Sequence, residues 1–80
     1  MKLEFDSESF LKSGLNLVDY MILLAYNKNS YKSRELAHFL GLSDRHIFGR
    51  RKTLRRLGYI AKEDRNYFYL TQAGKNLIAA

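Results

Sequence analysis

Six fixed positive charges, Arg45, Arg50, Arg51, Lys52, Arg55 and Arg56, fall within twelve consecutive residues. Ammonium and guanidinium groups packed this densely neutralise phosphates, and the planar guanidinium fork also matches the O6/N7 edge of guanine. Other chemistries find few residues to carry them. The chain has no cysteine, which removes thiol nucleophiles, Cys-based zinc sites and disulfides together. Glu35 and His38 stand at i and i+3 on one helical face, but a single pair lacks the further ligands that a metal requires. Asp44 and His46, at i and i+2, do not share a face. No glycine-rich phosphate loop and no nucleophile–base pair can be traced. These residues predict a binding protein and not an enzyme, with no cofactor and no metal.

The charge is unevenly spread. Residues 1–27 hold two bases and four acids (−2), residues 28–65 hold eleven bases and four acids (+7), and residues 66–80 add only Lys75, for a net +6. Such a local excess points to a polyanionic partner. A chain of 80 residues has room for one core. Its 46% hydrophobic content, with six Tyr and five Phe, is that of a globular domain. The longest apolar stretch, Leu17 to Tyr26, contains Asp19 and is about half of the ~20 residues a membrane span needs. Glu4 and Asp6 stand where a signal peptide would carry its apolar run. A soluble cytoplasmic domain is expected, nucleoid-associated if the polyanion is DNA, with no membrane partner.

The elements that must position the basic run follow from apolar spacing and from glycine. Residues 1–15 read as an N-terminal extension with a short helix over 7–13 ended by Gly14, and residues 16–80 as the domain proper. Asn16 caps a helix running to about Tyr26, whose inward stripe is Leu17, Val18, Met21, Ile22, Leu24 and Ala25. Tyr20, Leu23 and Tyr26 extend apolar character around its remaining circumference. After a turn at residues 27–30, Tyr31-Lys32 forms a short extended piece. Ser33 caps a helix from Arg34 to Leu40, with Leu36, Ala37 and Leu40 inward, and Gly41 stops it. Leu42 plugs the core, and Ser43 caps a third helix over about 44–57 anchored by Ile47, Leu54 and Leu57. Tyr59–Lys62 and Tyr67–Leu70 flank a polar turn as a hairpin, and Thr71 caps a last helix with Leu77 and Ile78 inward. The fold class is mainly α with a small β-hairpin, in the order helix, short strand, helix, turn, helix, hairpin, helix. Two helices joined by a glycine-containing turn of three or four residues form a helix-turn-helix.

Glu35-Leu36-Ala37-His38-Phe39-Leu40-Gly41-Leu42-Ser43, Ile47, Leu54, Leu57-Gly58-Tyr59-Ile60-type spacing and Tyr69-Leu70-Thr71-Gln72-Ala73-Gly74 together resemble the winged helix-turn-helix superfamily. The style is that of MarR- and PadR-like regulators and of the DNA-binding modules of phage and plasmid replication proteins. The resemblance covers roughly residues 16–80. It implies a small transcriptional regulator, or an accessory protein of a phage, plasmid or archaeal virus, that binds double-stranded DNA in a sequence-specific way. Two departures stand out: Arg50 and Arg51 occupy the place of a second apolar core residue one turn after Ile47, and the long terminal helices that dimerise MarR proteins are missing.

With Ile47, Leu54 and Leu57 inward, the opposite face of the third helix presents Arg45, His46, Phe48, Gly49, Lys52, Arg55 and Arg56. The first turns of such a helix reach base edges, so Arg45, His46, Phe48 and Gly49 are the expected base readers. Gly49 either lets DNA approach the backbone or packs tightly against another helix. Lys52, Arg55 and Arg56 are expected on phosphates, with Arg50 turned toward either core or phosphate. Tyr31, Lys32, Ser33 and Ser43 stand at helix N-termini that can meet a phosphate, and Lys62 and Arg65 are the cations of the wing, hairpin 59–70. Tyr20, Leu23 and Tyr26, or the C-terminal helix with residues 77–80, are the candidate homodimer surfaces. A second reading is a protein-interaction winged helix, an adaptor in replication or assembly that uses the first helix and the Tyr67/Tyr69 face. Single-strand or RNA binding is disfavoured, because the aromatics lie at core spacing and do not interleave with the basic run.

Overall fold

Leu17 to Lys28 form the central helix of the fold in a computed structural model that describes residues 5–28, 31–64 and 67–78. In chain order the elements are α1 (Ser7–Ser13), α2 (Leu17–Lys28), α3 (Ser33–Leu40), α4 (Asp44–Arg56), β1 (Ile60–Asp64), β2 (Tyr67–Leu70) and α5 (Gln72–Ile78). α2 packs against α1, α3, α4, α5 and β2. A helix touched from so many directions is apolar around most of its circumference.

That circumstance explains why its inward stripe departs from the one the sequence suggests. The buried positions are Asp19, Tyr20, Ile22, Leu23, Ala25 and Tyr26, whereas Leu17 is exposed and Val18, Met21 and Leu24 are half-buried. Tyr20, Leu23 and Tyr26 are therefore core residues, and the expected homodimer surface on this helix does not exist. The Tyr20 ring meets Phe5 and Phe10 edge-on, with centroids 5.5 and 5.3 Å away, and its hydroxyl donates to the Asp6 carbonyl. The phase follows Asp19, which faces inward to an arginine, so positions 22, 23 and 26 follow it at helical spacing.

The expected short strand at Tyr31-Lys32 is not formed: among the described residues the sheet has two strands, β1 and β2. Lys32 is extended but serves as the N-cap of α3, and its N–H donates to the Glu35 carboxylate at 2.9 Å. Ser33 is the first residue of α3 and not its cap, and Glu35, two residues on, reaches back to the N–H of the cap residue Lys32 in the manner of a capping box. Other caps stand as expected. Asn16 accepts from the Asp19 N–H, Ser43 from the His46 N–H and Thr71 from the Gly74 N–H.

α3 ends at Gly41, whose φ of 72° lies in the left-handed region that glycine enters without strain. Its N–H returns to the His38 carbonyl and that of Leu42 to Ala37, so the chain turns directly into α4. In the hairpin, Ile60 pairs with Leu70, Ala61 with Tyr69 and Lys62 with Phe68, with an irregularity between Lys62 and Asp64. Ile60, Phe68 and Leu70 face the core, while Tyr69 faces out. Gly74 lets α5 lie on the hairpin base: a Cβ there would collide with the Tyr59 carbonyl and the Leu70 side chain. Thr71 Oγ1 donates to the Gly58 carbonyl while accepting from Gly74 N–H, which ties the end of α4, the hairpin and α5 together. The Thr71–Gly74 spacing in the sequence records this joint.

Candidate nucleic-acid interface

α4 is positioned by three inward side chains, Ile47, Arg51 and Leu54, all buried. They recur at i, i+4 and i+7, one stripe of a helix. Leu57 does not belong to it. The helix ends at Arg56, and Leu57, expected as the third anchor, is 55% exposed. The turn through Gly58 presents Tyr59 to the core in its place, with the Tyr59 N–H donating to the Leu54 carbonyl.

The adjacent arginines of α4 have different fates. Arg50 donates from Nε and Nη2 to the two carboxylate oxygens of Asp19, at 2.8 and 2.7 Å. Asp19's side chain is 6% exposed and Arg50's 34%. This bidentate bond raises the Arg50 pKa above its already high ordinary value, so the group stays charged. Arg50, expected to turn toward either the core or a phosphate, turns inward: its guanidinium is committed to Asp19 of α2. Arg51, only 8% exposed, turns toward the hairpin. Its guanidinium carbon lies 4.1 Å from the Phe68 ring centroid and 5.7 Å from that of Phe48.

Arg51 is a site residue that the spacing of the basic run did not single out, although its place one turn after Ile47 marks it as a cation at a core position. Among the described residues its Nη1 has no hydrogen-bond partner, and neither has the buried Tyr26 hydroxyl. Burial pushes the Tyr26 phenol up, and the Arg51 charge pulls the other way. The two groups are thus neighbours, close enough for the guanidinium to act on the phenol.

On the outer face, Arg45, His46, Gly49, Lys52, Arg55 and Arg56 are all exposed, and Phe48 is 59% exposed. A Cβ at Gly49 would meet nothing within 4 Å. Tight packing against another helix is therefore not the reason for this glycine. Asp44 stands near Arg34 at 4.0 Å, a solvated pair of little energetic weight.

Between α4 and the hairpin lies an open cavity of about 380 Å³ lined by Ser33, Phe48, Arg51, Lys52, Arg55, Lys62 and Phe68. The structure thus gathers Ser33, Phe48, Lys52, Arg55 and Lys62 from the expected site, and adds Arg51 and Phe68. Lys32 lies to the side, its Nζ 5.6 Å from the Tyr67 ring centroid. Tyr31 is half-buried and Ser43 is exposed at the start of α4. Arg65, the other expected wing cation, lies outside the described residues. Among the described residues no cluster of three potential metal ligands occurs, and no helix is long and apolar enough to cross a membrane.

No family model and no curated protein matches the chain. Solved structures do. A MarR-family transcriptional regulator from Rhodococcus sp. RHA1 superposes with a TM-score of 0.75 at 22% identity, over 89% of this chain and 55% of that one. A transcriptional regulator from Thermotoga maritima gives a TM-score of 0.73 at 24% identity, over 90% of this chain and 60% of the other. The chain therefore spans a little over half the length of these regulators. What they share with it is the fold, a winged helix-turn-helix of the MarR-like kind in which α3 and α4 are the paired helices and β1–β2 the wing.

Proposed function

We propose that the protein binds double-stranded DNA in a sequence-specific way, as a small transcriptional regulator of a prokaryotic, viral or plasmid system acting on the nucleoid in the cytoplasm. One observation carries the reading: the outer face of α4 offers Arg45, Phe48, Gly49, Lys52, Arg55 and Arg56 to solvent on a single side, and no acid lines the cavity that continues this face toward the wing. The naming of both structural neighbours as transcriptional regulators supports it. In this reading α4 lies in the major groove. Arg45, in the first turn, reads guanine, and His46, Phe48 and the bare backbone at Gly49 meet neighbouring base edges. Lys52, Arg55 and Arg56 hold phosphates, and Lys62 extends the cationic track onto the wing. A homodimer, if formed, uses the C-terminal helix or another exposed surface, since the expected face of α2 is buried.

Duplexes selected from a random pool test the reading. Four phosphate contacts, from Lys52, Arg55, Arg56 and Lys62, correspond to a fall of log affinity with log salt at a slope of roughly −3.5. Arg45→Ala is expected to weaken selected duplexes by ~1–3 kcal/mol more than random ones, whereas Lys52→Ala weakens both alike. No recovered motif, with a slope shallower than about −2, overturns the proposal in favour of a protein-binding winged helix.

A further inference from the structure

We infer that the cavity between α4 and the hairpin is a seat for one phosphoryl group, with Arg51 as its buried cation. An ionised side chain taken out of water is costly unless an opposite charge or a full set of hydrogen bonds accompanies it. Asp19 meets that requirement for Arg50. For Arg51 no carboxylate does: the ion pairs among the described residues involve Lys12, Arg34 and Arg50, the neighbouring Tyr26 phenol carries no charge, and Nη1 lacks an acceptor. The Phe68 ring face offsets part of the cost, as a cation–π contact does, but carries no net charge.

The surroundings add more cations in place of an anion. Lys52 and Arg55 come from the same helix and Lys62 from β1, while Ser33 brings a hydroxyl and no carboxylate lines the space. Lys62 is paired across the hairpin with Phe68, so it stands on the same face of the sheet as the ring beneath Arg51. Four like charges converging on one cavity repel each other. A tetrahedral oxyanion placed among them removes the repulsion and supplies the acceptors that the guanidinium lacks. At about 380 Å³ the cavity also has room for the groups that a phosphate diester or monoester carries.

The phosphoryl group has two possible sources, a backbone phosphate of the duplex or a free phosphorylated ligand, and only the first rests on the duplex-binding reading. Inorganic phosphate is the probe. In the full chain, replacing chloride by phosphate at equal ionic strength is expected to shift the Arg51 Nε–H, Ser33 and Phe68 ring resonances, and Arg51→Met to abolish these shifts. Lys62→Gln, a change on an exposed strand position that leaves the core intact, is expected to weaken them.

Superposable chloride and phosphate spectra overturn the seat, whatever the duplex does. If phosphate shifts the resonances and duplex DNA displaces it, the backbone is the source, and Arg51→Met costs roughly tenfold or more in duplex affinity. Phosphate retained while duplex binds marks a free phosphoryl ligand and keeps the seat. Phosphate binding with indifference to duplex also keeps the seat, while ending the DNA reading.

Discussion

The two flanks of α4 are held to the body by opposite physical means. On the flank facing α2, Arg50 is bound by both oxygens of the buried Asp19 carboxylate, an interaction with fixed geometry and compensated charge. On the flank facing the hairpin, Arg51 lies on the Phe68 ring and, among the described residues, forms no ion pair. The first arrangement is complete within the chain and fixes the rotation of the helix against α2. The second leaves Nη1 without a partner among the described residues and faces the cavity that the wing helps to form. On the proposed phosphoryl seat, adjacent residues of one type divide into a structural and a binding role, and the division is made by the partner each finds.

The comparison is sharpest when each arginine is replaced by methionine, which keeps an unbranched apolar stem and removes the charge. Arg50→Met strands a buried carboxylate, and an unfolding free energy lower by about 3 kcal/mol is expected, discounted from a fully buried pair because Arg50 is partly solvated. Arg51→Met removes an uncompensated cation from a core position, and stability within about 1 kcal/mol of the parent is expected, since the relief of burial offsets the lost cation–π contact. Urea unfolding at neutral pH measures both. Equal losses at the two positions would falsify the division.

Gly49 provides a smaller effect, on the outer face between the flanks. Alanine there meets nothing within 4 Å, so Gly49→Ala is expected to raise stability by roughly 0.5–1 kcal/mol through helix propensity alone. If the bare backbone is used for close approach to DNA, duplex affinity falls in the same variant. Stability and affinity rising together would remove Gly49 from the reading face.

How much of this was legible beforehand depended on whether a residue's role follows from its neighbours in sequence or from a partner far along the chain. The caps at Asn16, Ser43 and Thr71, the glycine stop at Gly41 and the alternation of the hairpin are local, and the sequence-based expectations agree with the structure there. The outer face of α4 followed in the same way from Ile47 and Leu54. The buried face of α2 did not, because an apolar helix packed from several directions has no strong phase, and its one internal acid belongs inside. Asp19 and Arg50 lie 31 residues apart, and hydrophobic periodicity treats both as solvent-facing. Arg51 was visible as a departure from an apolar stripe, but its ring partner Phe68 is contributed by the hairpin. Leu57 failed for a related reason: helical spacing counts it inward, yet the helix stops one residue before it.

The smallest expected effect lies far from α4 and uses pH. Asp6 caps α1 by accepting from the Glu8 N–H and the Ser9 hydroxyl. The Ser9 hydrogen bond is the main reason that its carboxyl titrates below the ordinary value of 3.8. A carboxylate favoured by the folded state contributes its full stabilisation above pH 3.8 and loses it as pH falls through the lower folded value. Acidification is therefore expected to lower the protection factors of the Glu8 and Ser9 amides, relative to their intrinsic exchange at each pH, before those of α4 amides change. Asp6→Asn keeps a capping oxygen but does not titrate, so it should flatten this local pH dependence. Acid fraying that instead began in α4, with Glu8 and Ser9 still protected, would show that the Asp6 cap is not the acid-sensitive contact.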